Sequence, residues 1–225
     1  MGTPQEIIYK LALTLPAFLL AITFHEFAHG WMAHKFGDNT AESQGRLTFD
    51  PLAHIDPYGT IIWPAIGLVM GWPIIGWAKP VPINPSRFKS IKKGIFWVSF
   101  AGPLSNIFLA ILGSIAFAMI FSFLPQTSSF QKPLLRIFDY FIFINVILAG
   151  FNLIPIPPLD GSKMLSVVLP PHLSFQYLKL ERYSSFLIWG IILLSYTGVN
   201  ILGRVLSPFF ILAGYMKAFF VQIFI

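Results

Sequence analysis

The segment His25-Glu26-Phe27-Ala28-His29 has the H-E-x-x-H pattern. On an α-helix, residues four positions apart lie one turn apart on the same face, so the imidazoles of His25 and His29 can bind one metal ion. Glu26 is adjacent and can hold an attacking water as general base. The residues on either side contain no helix-stopping proline. The spacing therefore predicts a helical zinc site suited to hydrolysis.

This motif lies inside an apolar run from about Ile7 to Ala33. Ionisable side chains are costly within a membrane, and they are functional by default when they occur there. Three of them at metal-ligand spacing therefore favour a metal site. The alternative is a polar cluster that only joins helices by hydrogen bonds.

Asp160 is the best candidate for a third ligand. Catalytic zinc usually takes three protein ligands, and the chain has no cysteine, so any ligand must be His, Asp or Glu. Asp160 is the only acid between Tyr140 and Leu180, and it follows a proline-rich run. Prolines prevent regular helix, and unwound backbone at membrane depth usually lines a cavity or site. The alternative is a helix-terminating turn that leaves Asp160 in water.

The composition indicates a multi-pass membrane protein. Of 225 residues, 56% are hydrophobic and only 11% are charged, against about 25% charged in soluble domains. The net charge of +6 lies in loops between apolar stretches, so it indicates topology rather than binding to nucleic acid. The six apolar stretches cover approximately residues 7–33, 59–78, 94–124, 134–159, 183–202 and 205–225. A spanning helix needs about 20 residues, so we predict an all-α polytopic membrane protein with about 4–6 transmembrane helices.

The basic residues predict the orientation. Lys79, Arg87, Lys89, Lys92 and Lys93 follow the second stretch with no acid among them, which places this segment in the cytoplasm. The second stretch is rich in glycine and proline, so it is either a re-entrant element, which we favour, or a short span. The later parts of the first and fourth stretches then meet near the cytoplasmic side. We expect a single membrane domain over residues 1–225, with a catalytic core at about 7–165 and C-terminal helices at about 183–225.

Two motifs together resemble the site-2 protease family of intramembrane zinc metalloproteases. These are H-E-F-A-H and the run N-L-I-P-I-P-P-L-D-G from Asn152 to Gly161. Residues 100–106, F-A-G-P-L-S-N, are similar to the family's Gly-Pro-x-x-Asn element, and G-R-L-T-F-D-P at 45–51 is also similar. These elements occur in the family's order between residues 25 and 161.

The resemblance implies one Zn²⁺ ion held by His25, His29 and Asp160, with Glu26 as the base. It implies that Asn152, Pro155 and Pro157 help to hold the substrate as an extended strand. The segment from about 45 to 56 is expected to form a membrane-associated β-hairpin. The expected substrates are membrane-spanning proteins in the lipid bilayer of the cell membrane, cut near the cytoplasmic face in regulated intramembrane proteolysis. The chain resembles a minimal form without a PDZ or nucleotide-binding regulatory domain, and its oligomeric state is left open.

Two further residues have two interpretations each. His54 is either a partner of the metal ligands or a loop histidine, and Asn106 bonds either near the site or between helices. Two other functions also fit ionisable groups in broken helices. One is a zinc or proton transporter, which predicts ligands spread along a path. The other is an inactive protease-like membrane binding protein, which would not need Glu26.

Overall fold

A computed structural model describes residues 3–70, 76–184, 186, 190 and 201–225. We number the α-helices in chain order. They are α1 (Pro4–Lys35), α2 (Thr40–Ser43), α3 (Trp63–Met70), α4 (Ile91–Phe123), α5 (Gln131–Asn152), α6 (Asp160–Val168), α7 (Pro171–Leu178) and α8 (Ile201–Phe224). Short 3₁₀ turns occur at Pro51–His54, Pro85–Arg87 and Lys179–Tyr183, and a π-helical turn occurs at Pro57–Ile62.

The described part of the chain is helical and contains four helices that are long and apolar enough to cross a membrane. The apolar segments of these helices are Leu11–Lys35, Ile91–Phe123, Gln131–Asn152 and Gly203–Phe224. The predicted all-α multi-pass membrane fold is therefore confirmed. The fifth apolar stretch, residues 183–202, lies largely outside the described residues. Residues 71–75 also lie outside them, so the re-entrant path of residues 59–78 stays a prediction.

Helix α4 lies at the centre of the bundle and packs against α1, α5, α6 and α8. Small side chains allow these helices to approach closely. One buried cluster joins α4, α5 and α8 through Ala110, Ile142, Val146 and Ala213. The bundle therefore brings the HExxH segment of α1 against α4, while α6 carries Asp160 to the same helix.

The predicted β-hairpin at residues 45–56 is wrong, because no strand is present anywhere in the described ranges. Pro51 and Pro57 each begin a helical turn in this region. The side chain of Asp50 accepts from Leu52 N, and that of Asp56 accepts from Tyr58 N and Gly59 N. Proline lacks the N–H that a β-ladder needs and is preorganised for the first position of a helix. Local capping therefore replaces strand pairing.

Residues 76–84 form an irregular segment, which we call the covering segment, held by the loop that follows α2. Arg46 Nη2 donates to Lys79 O at 2.8 Å and to Pro80 O at 3.2 Å. Lys79 N donates to His54 O at 2.9 Å, and the hydroxyl of Thr60 donates to Trp77 O at 2.9 Å. The backbone of this segment therefore bonds to side chains and loops and not to a neighbouring strand. It passes beside α1, where Val81 contacts Glu26.

Asp38 links the end of α1 to the far end of the covering segment. Helix α1 ends at Lys35, and two residues later the chain turns at Gly37, whose φ of 105° favours glycine. The next side chain, Asp38, is fully buried and accepts from Asn84 N at 2.6 Å and from Thr40 N at 3.0 Å. Burial by itself would raise the pKa of Asp38, but these bonds, the hydroxyl of Thr40 and nearby Arg87 lower it below its ordinary value.

We expect Asp38→Ala to destabilise the protein by about 1–3 kcal/mol, because the N–H groups of Thr40 and Asn84 lose their buried acceptor. The lowered pKa means that the stabilisation by Asp38 is complete above the unfolded-state pKa of about 3.9 and is lost as the pH falls below it. Thermal unfolding in detergent at pH 7 and at pH 3 checks both points. The difference between wild type and variant should be large at pH 7 and smaller at pH 3. Asp56→Asn is the control, because asparagine also caps helices. Equal effects at both pH values would contradict the prediction.

Candidate metal centre

The structure brings the three predicted ligands together. His25 and His29 lie one turn apart on α1, and their Nε2 atoms are 3.0 Å apart. Asp160 begins α6, and its Oδ2 atom lies 3.2 Å from each Nε2. Each of the three residues is buried, with 5–7% of its surface exposed. The three side chains come from two helices, and His25 and Asp160 are 135 positions apart in the sequence.

The other ring nitrogen of each histidine contacts an oxygen supplied by α4. His29 Nδ1 lies 2.6 Å from Val98 O, and His25 Nδ1 lies 2.6 Å from Asn106 Oδ1. A carbonyl oxygen only accepts, so each ring donates from Nδ1, and its Nε2 is the nitrogen that faces the other two candidate ligands. Metal-binding histidines commonly have this arrangement, because the bond at the second nitrogen fixes both the tautomer and the ring plane.

The amide of Asn106 is itself oriented by two acceptors. Its Nδ2 atom donates to Ala21 O and to Asn145 Oδ1, both at 3.0 Å. Asn145 in turn donates from Nδ2 to Phe141 O at 2.9 Å. Both asparagines are fully buried. The carbonyls of Ala21 and Phe141 accept from the amide nitrogens of these two asparagines. The nitrogen of Asn106 therefore points away from His25, and its Oδ1 faces His25.

The three ligand atoms fit a tetrahedral zinc ion. Zinc binds imidazole and carboxylate ligands at about 2.0–2.2 Å, which separates tetrahedral ligand atoms by about 3.3 Å. The distances between the three atoms are 3.0, 3.2 and 3.2 Å. Two neutral imidazoles and one carboxylate also form the donor set that zinc prefers. The site therefore fits one zinc ion with a fourth position open for a water or a substrate.

Asp160 is positioned by a tight turn, and the residue after it, Gly161, has to be glycine. Leu159 N donates to Ile156 O at 3.0 Å, which folds the proline-rich run back on itself. A Cβ atom at Gly161 would lie 2.2 Å from Leu153 O, so a larger residue would push the turn apart. Asp160 Oδ1, the oxygen that does not face the histidines, lies 3.5 Å from Lys163 Nζ.

Glu26 lines the same cavity as the three candidate ligands. The cavity has a volume of about 630 Å³, and its lining includes His25, His29, Asp160 and part of the covering segment. Val81 N donates to Glu26 Oε2 at 2.9 Å. Within the described ranges no hydrogen bond to Glu26 Oε1 is formed, so this oxygen is available to a water in the cavity.

The other predicted site residues have different surroundings. Asn152 lines the cavity, and its Nδ2 donates to Leu148 O at 3.0 Å. Pro158 lines the cavity, whereas Pro155 and Pro157 do not, and Pro155 O accepts from the Tyr177 hydroxyl at 2.7 Å. His54 is fully buried in its loop, where Nε2 contacts Thr48 O at 2.9 Å. The predicted roles of Asn152, Pro155, Pro157 and His54 in the reaction stay predictions.

Sequence reasoning missed three parts of this site: the carbonyl of Val98, the N–H of Val81 and Asn145. It noted Gly102 only as part of the Gly-Pro-x-x-Asn element, without a role. Two of the three missed parts are backbone groups, which carry no signal in the residue type. A usable signal was the spacing of Val98, Gly102 and Asn106, which places them on one face of a helix.

A buried His₂Asp set, with Glu26 beside His25 on a helix long and apolar enough to cross a bilayer, is typical of a membrane zinc hydrolase. The model of the family described as Peptidase family M50 matches residues 119–194. YwhC of Bacillus subtilis strain 168 is 35% identical over 205 residues, covering 91% of this chain and 89% of that protein. The chain therefore belongs to peptidase family M50, the site-2 protease family, and the resemblance seen in the motifs is confirmed.

Two other relatives are more distant. Rip2 of Mycolicibacterium smegmatis is 30% identical over 176 residues, covering 76% of this chain and 61% of that protein. MJ0611 of Methanocaldococcus jannaschii is 31% identical over 162 residues, covering 72% and 73%. All three relatives are provisionally named zinc metalloproteases, in agreement with the zinc geometry of the His₂Asp set. No solved structure matches the chain.

Proposed function

We propose that this protein is an intramembrane zinc metalloprotease that hydrolyses peptide bonds of membrane-spanning proteins near the cytoplasmic face. The observation that carries the proposal is the meeting of His25, His29 and Asp160 in one buried triangle, with Glu26 in the same cavity. The family and its zinc metalloprotease relatives support the same chemistry.

The proposed roles follow from the contacts of each side chain. When bound, zinc supplies Lewis acidity, which polarises a carbonyl group and acidifies water. His25, His29 and Asp160 would hold it through Nε2, Nε2 and Oδ2. Glu26 would take a proton from the attacking water at Oε1, because Oε2 is held by Val81 N–H. The deprotonated water oxygen would form a bond to the carbonyl carbon of the peptide. Glu26 would then return the proton to the nitrogen of the leaving amine as the C–N bond breaks, which leaves a carboxylate and an amine.

The cavity suits a short unwound stretch of substrate. Pockets that bind small ligands have volumes of roughly 300–1,000 Å³, so about 630 Å³ is enough for a few residues but not for a helix with its side chains. A substrate helix must therefore open locally before attack, and residues of low helix propensity would help it to do so. Asn152 at the cavity wall has an amide oxygen that could accept from the opened backbone.

The position of the site supports cleavage near the cytoplasm. The covering segment contacts Glu26 through Val81, and Lys79 lies two residues earlier. The same connection continues through Arg87, Lys89 and Lys92, and such basic loops favour the cytoplasmic side. The active site would thus lie on the side from which water and basic loops approach.

The competing functions are less well supported. A transporter would place ligands along a path, whereas the described residues contain a single compact group of three metal-binding side chains. An inactive binding protein would not need Glu26, which is bonded to Val81 through one oxygen and has the other facing the cavity beside the candidate ligands.

Cleavage of a single-span substrate by the purified protein in detergent tests the proposal. We expect the zinc-loaded protein to cut, the chelator-treated protein to stop cutting, and added zinc to restore cleavage. A substrate span containing glycine and proline should be cut faster than a matched leucine-rich span. Zinc flux into sealed vesicles without cleavage would instead identify a transporter. Tight zinc binding with neither flux nor cleavage of several substrates would identify a binding protein.

A further inference from the structure

Helix α4 faces the metal site with its backbone at Gly102. Val98, Gly102 and Asn106 are spaced by four residues and lie on one face of the helix. The first and the third of them bond to His29 and His25, whereas Gly102 between them has no side chain. A Cβ atom built on Gly102 would lie 2.5 Å from His29 Nε2 and 2.6 Å from His25 Nε2.

These distances leave no space for any side chain. Real Cβ atoms essentially never approach another heavy atom closer than 3.0 Å, so either the helix or the rings would have to move. The rings cannot yield easily, because each Nδ1 is held at 2.6 Å by α4 itself. The two atoms that a Cβ would press against are also the two nitrogens that would bind the metal.

We propose that Gly102 is a positioning residue of the metal centre, whose missing side chain lets α4 hold both histidines while leaving their Nε2 atoms free. One helix face then does three things: it fixes the ring of His29, clears the metal position and fixes the ring of His25. A side chain at position 102 excludes the metal even when all three ligands are intact. This inference rests on the metal site of the proposed function, and it does not depend on proteolysis.

Zinc affinity of Gly102→Ala, measured by chelator competition in detergent, tests the inference. We expect a loss of about 100-fold or more, at the upper end of what changes around metal ligands cost. Gly113→Ala, on the same helix as Gly102, is the matched control, because its Cβ would lie 2.9 Å from a ring atom of Phe141 on α5 and far from the candidate ligands. Gly214→Ala is the neutral control, because nothing lies within 4 Å of its Cβ position.

A double-mutant cycle tests whether a Cβ at position 102 clashes with the rings of His25 and His29. In metal-free buffer, Gly102→Ala should lower the unfolding temperature of the wild type, but not that of a His25→Ala/His29→Ala background. This comparison also decides the case in which Gly102→Ala alone does not fold, since the variant should then fold in that background.

Three results would overturn the inference: zinc affinity of Gly102→Ala within about threefold of wild type, an equal loss in Gly113→Ala, or an unchanged stability cost without the rings. A wild type that binds zinc but cleaves nothing would refute the proposed protease and leave this inference standing.

Discussion

Glu26→Gln is expected to slow cleavage of a membrane-spanning substrate strongly while leaving the zinc content unchanged. Glutamine has the same shape and can accept the N–H of Val81, so the covering segment should keep its place. It cannot take a proton from water at the pH of the assay. General acid–base catalysis contributes typically 10²–10⁴-fold, so we expect cleavage to fall by about that factor.

Single-turnover cleavage and elemental zinc analysis on the same samples measure the two quantities. Glu42→Gln is the matched control, because Glu42 is an exposed acid that pairs with His34 outside the cavity. This control should cleave like the wild type. Substantial cleavage by Glu26→Gln would show that another group takes the proton, and loss of its zinc would show that Glu26 helps to hold the metal.

Asp160→Asn is expected to remove zinc from the protein and cleavage with it. The amide cannot supply the negative charge that offsets the metal charge between two neutral imidazoles. Changes around metal ligands cost 10–100-fold in affinity, and the loss of a ligand should exceed that range. The backbone of the turn should survive, because asparagine is close in size and the fit of Gly161 against Leu153 is untouched.

Zinc affinity by chelator competition checks this result, with thermal unfolding in metal-free buffer as the measure of folding. Asp50→Asn is the control: Asp50 caps a loop turn, where asparagine works equally well, so zinc binding should not change. If Asp160→Asn kept wild-type affinity, the third ligand would have to be another residue. The ligand set that the sequence and the distances both indicate would then be wrong.

The candidate ligands on α1 could be singled out from the sequence because their spacing is local. His25 and His29 belong to one helical turn, and Glu26 lies between them, so helical geometry alone places them together. Asp160 could be predicted for another reason: it follows three prolines inside an otherwise apolar region, where an acid needs a function. Its distance from the histidines could not be predicted, because it depends on how α6 packs against α4.

The loop from 45 to 56 shows where pattern reasoning failed. The resemblance suggested a hairpin, but a hairpin needs paired N–H groups, and the prolines at 51 and 57 begin capped turns instead. The resemblance to the family lies in the motifs, whereas the local backbone depends on the prolines and caps of this sequence. The hydrogen bonds of Arg46 and His54 to Lys79 hold this loop against the covering segment, as paired strands would have done.

By itself, the sequence was enough to indicate the membrane class, the HExxH pair, a third acidic candidate and a basic loop that predicts orientation, because each depends on residue type and near-neighbour spacing. Only the tertiary structure decided which groups surround them. The proton of His29 points to a backbone carbonyl, Glu26 is held by a backbone N–H, and Gly102 acts through the atoms that it lacks. Backbone groups are the same at almost every residue, so only the packing of α1, α4 and the covering segment selects the ones that serve the site.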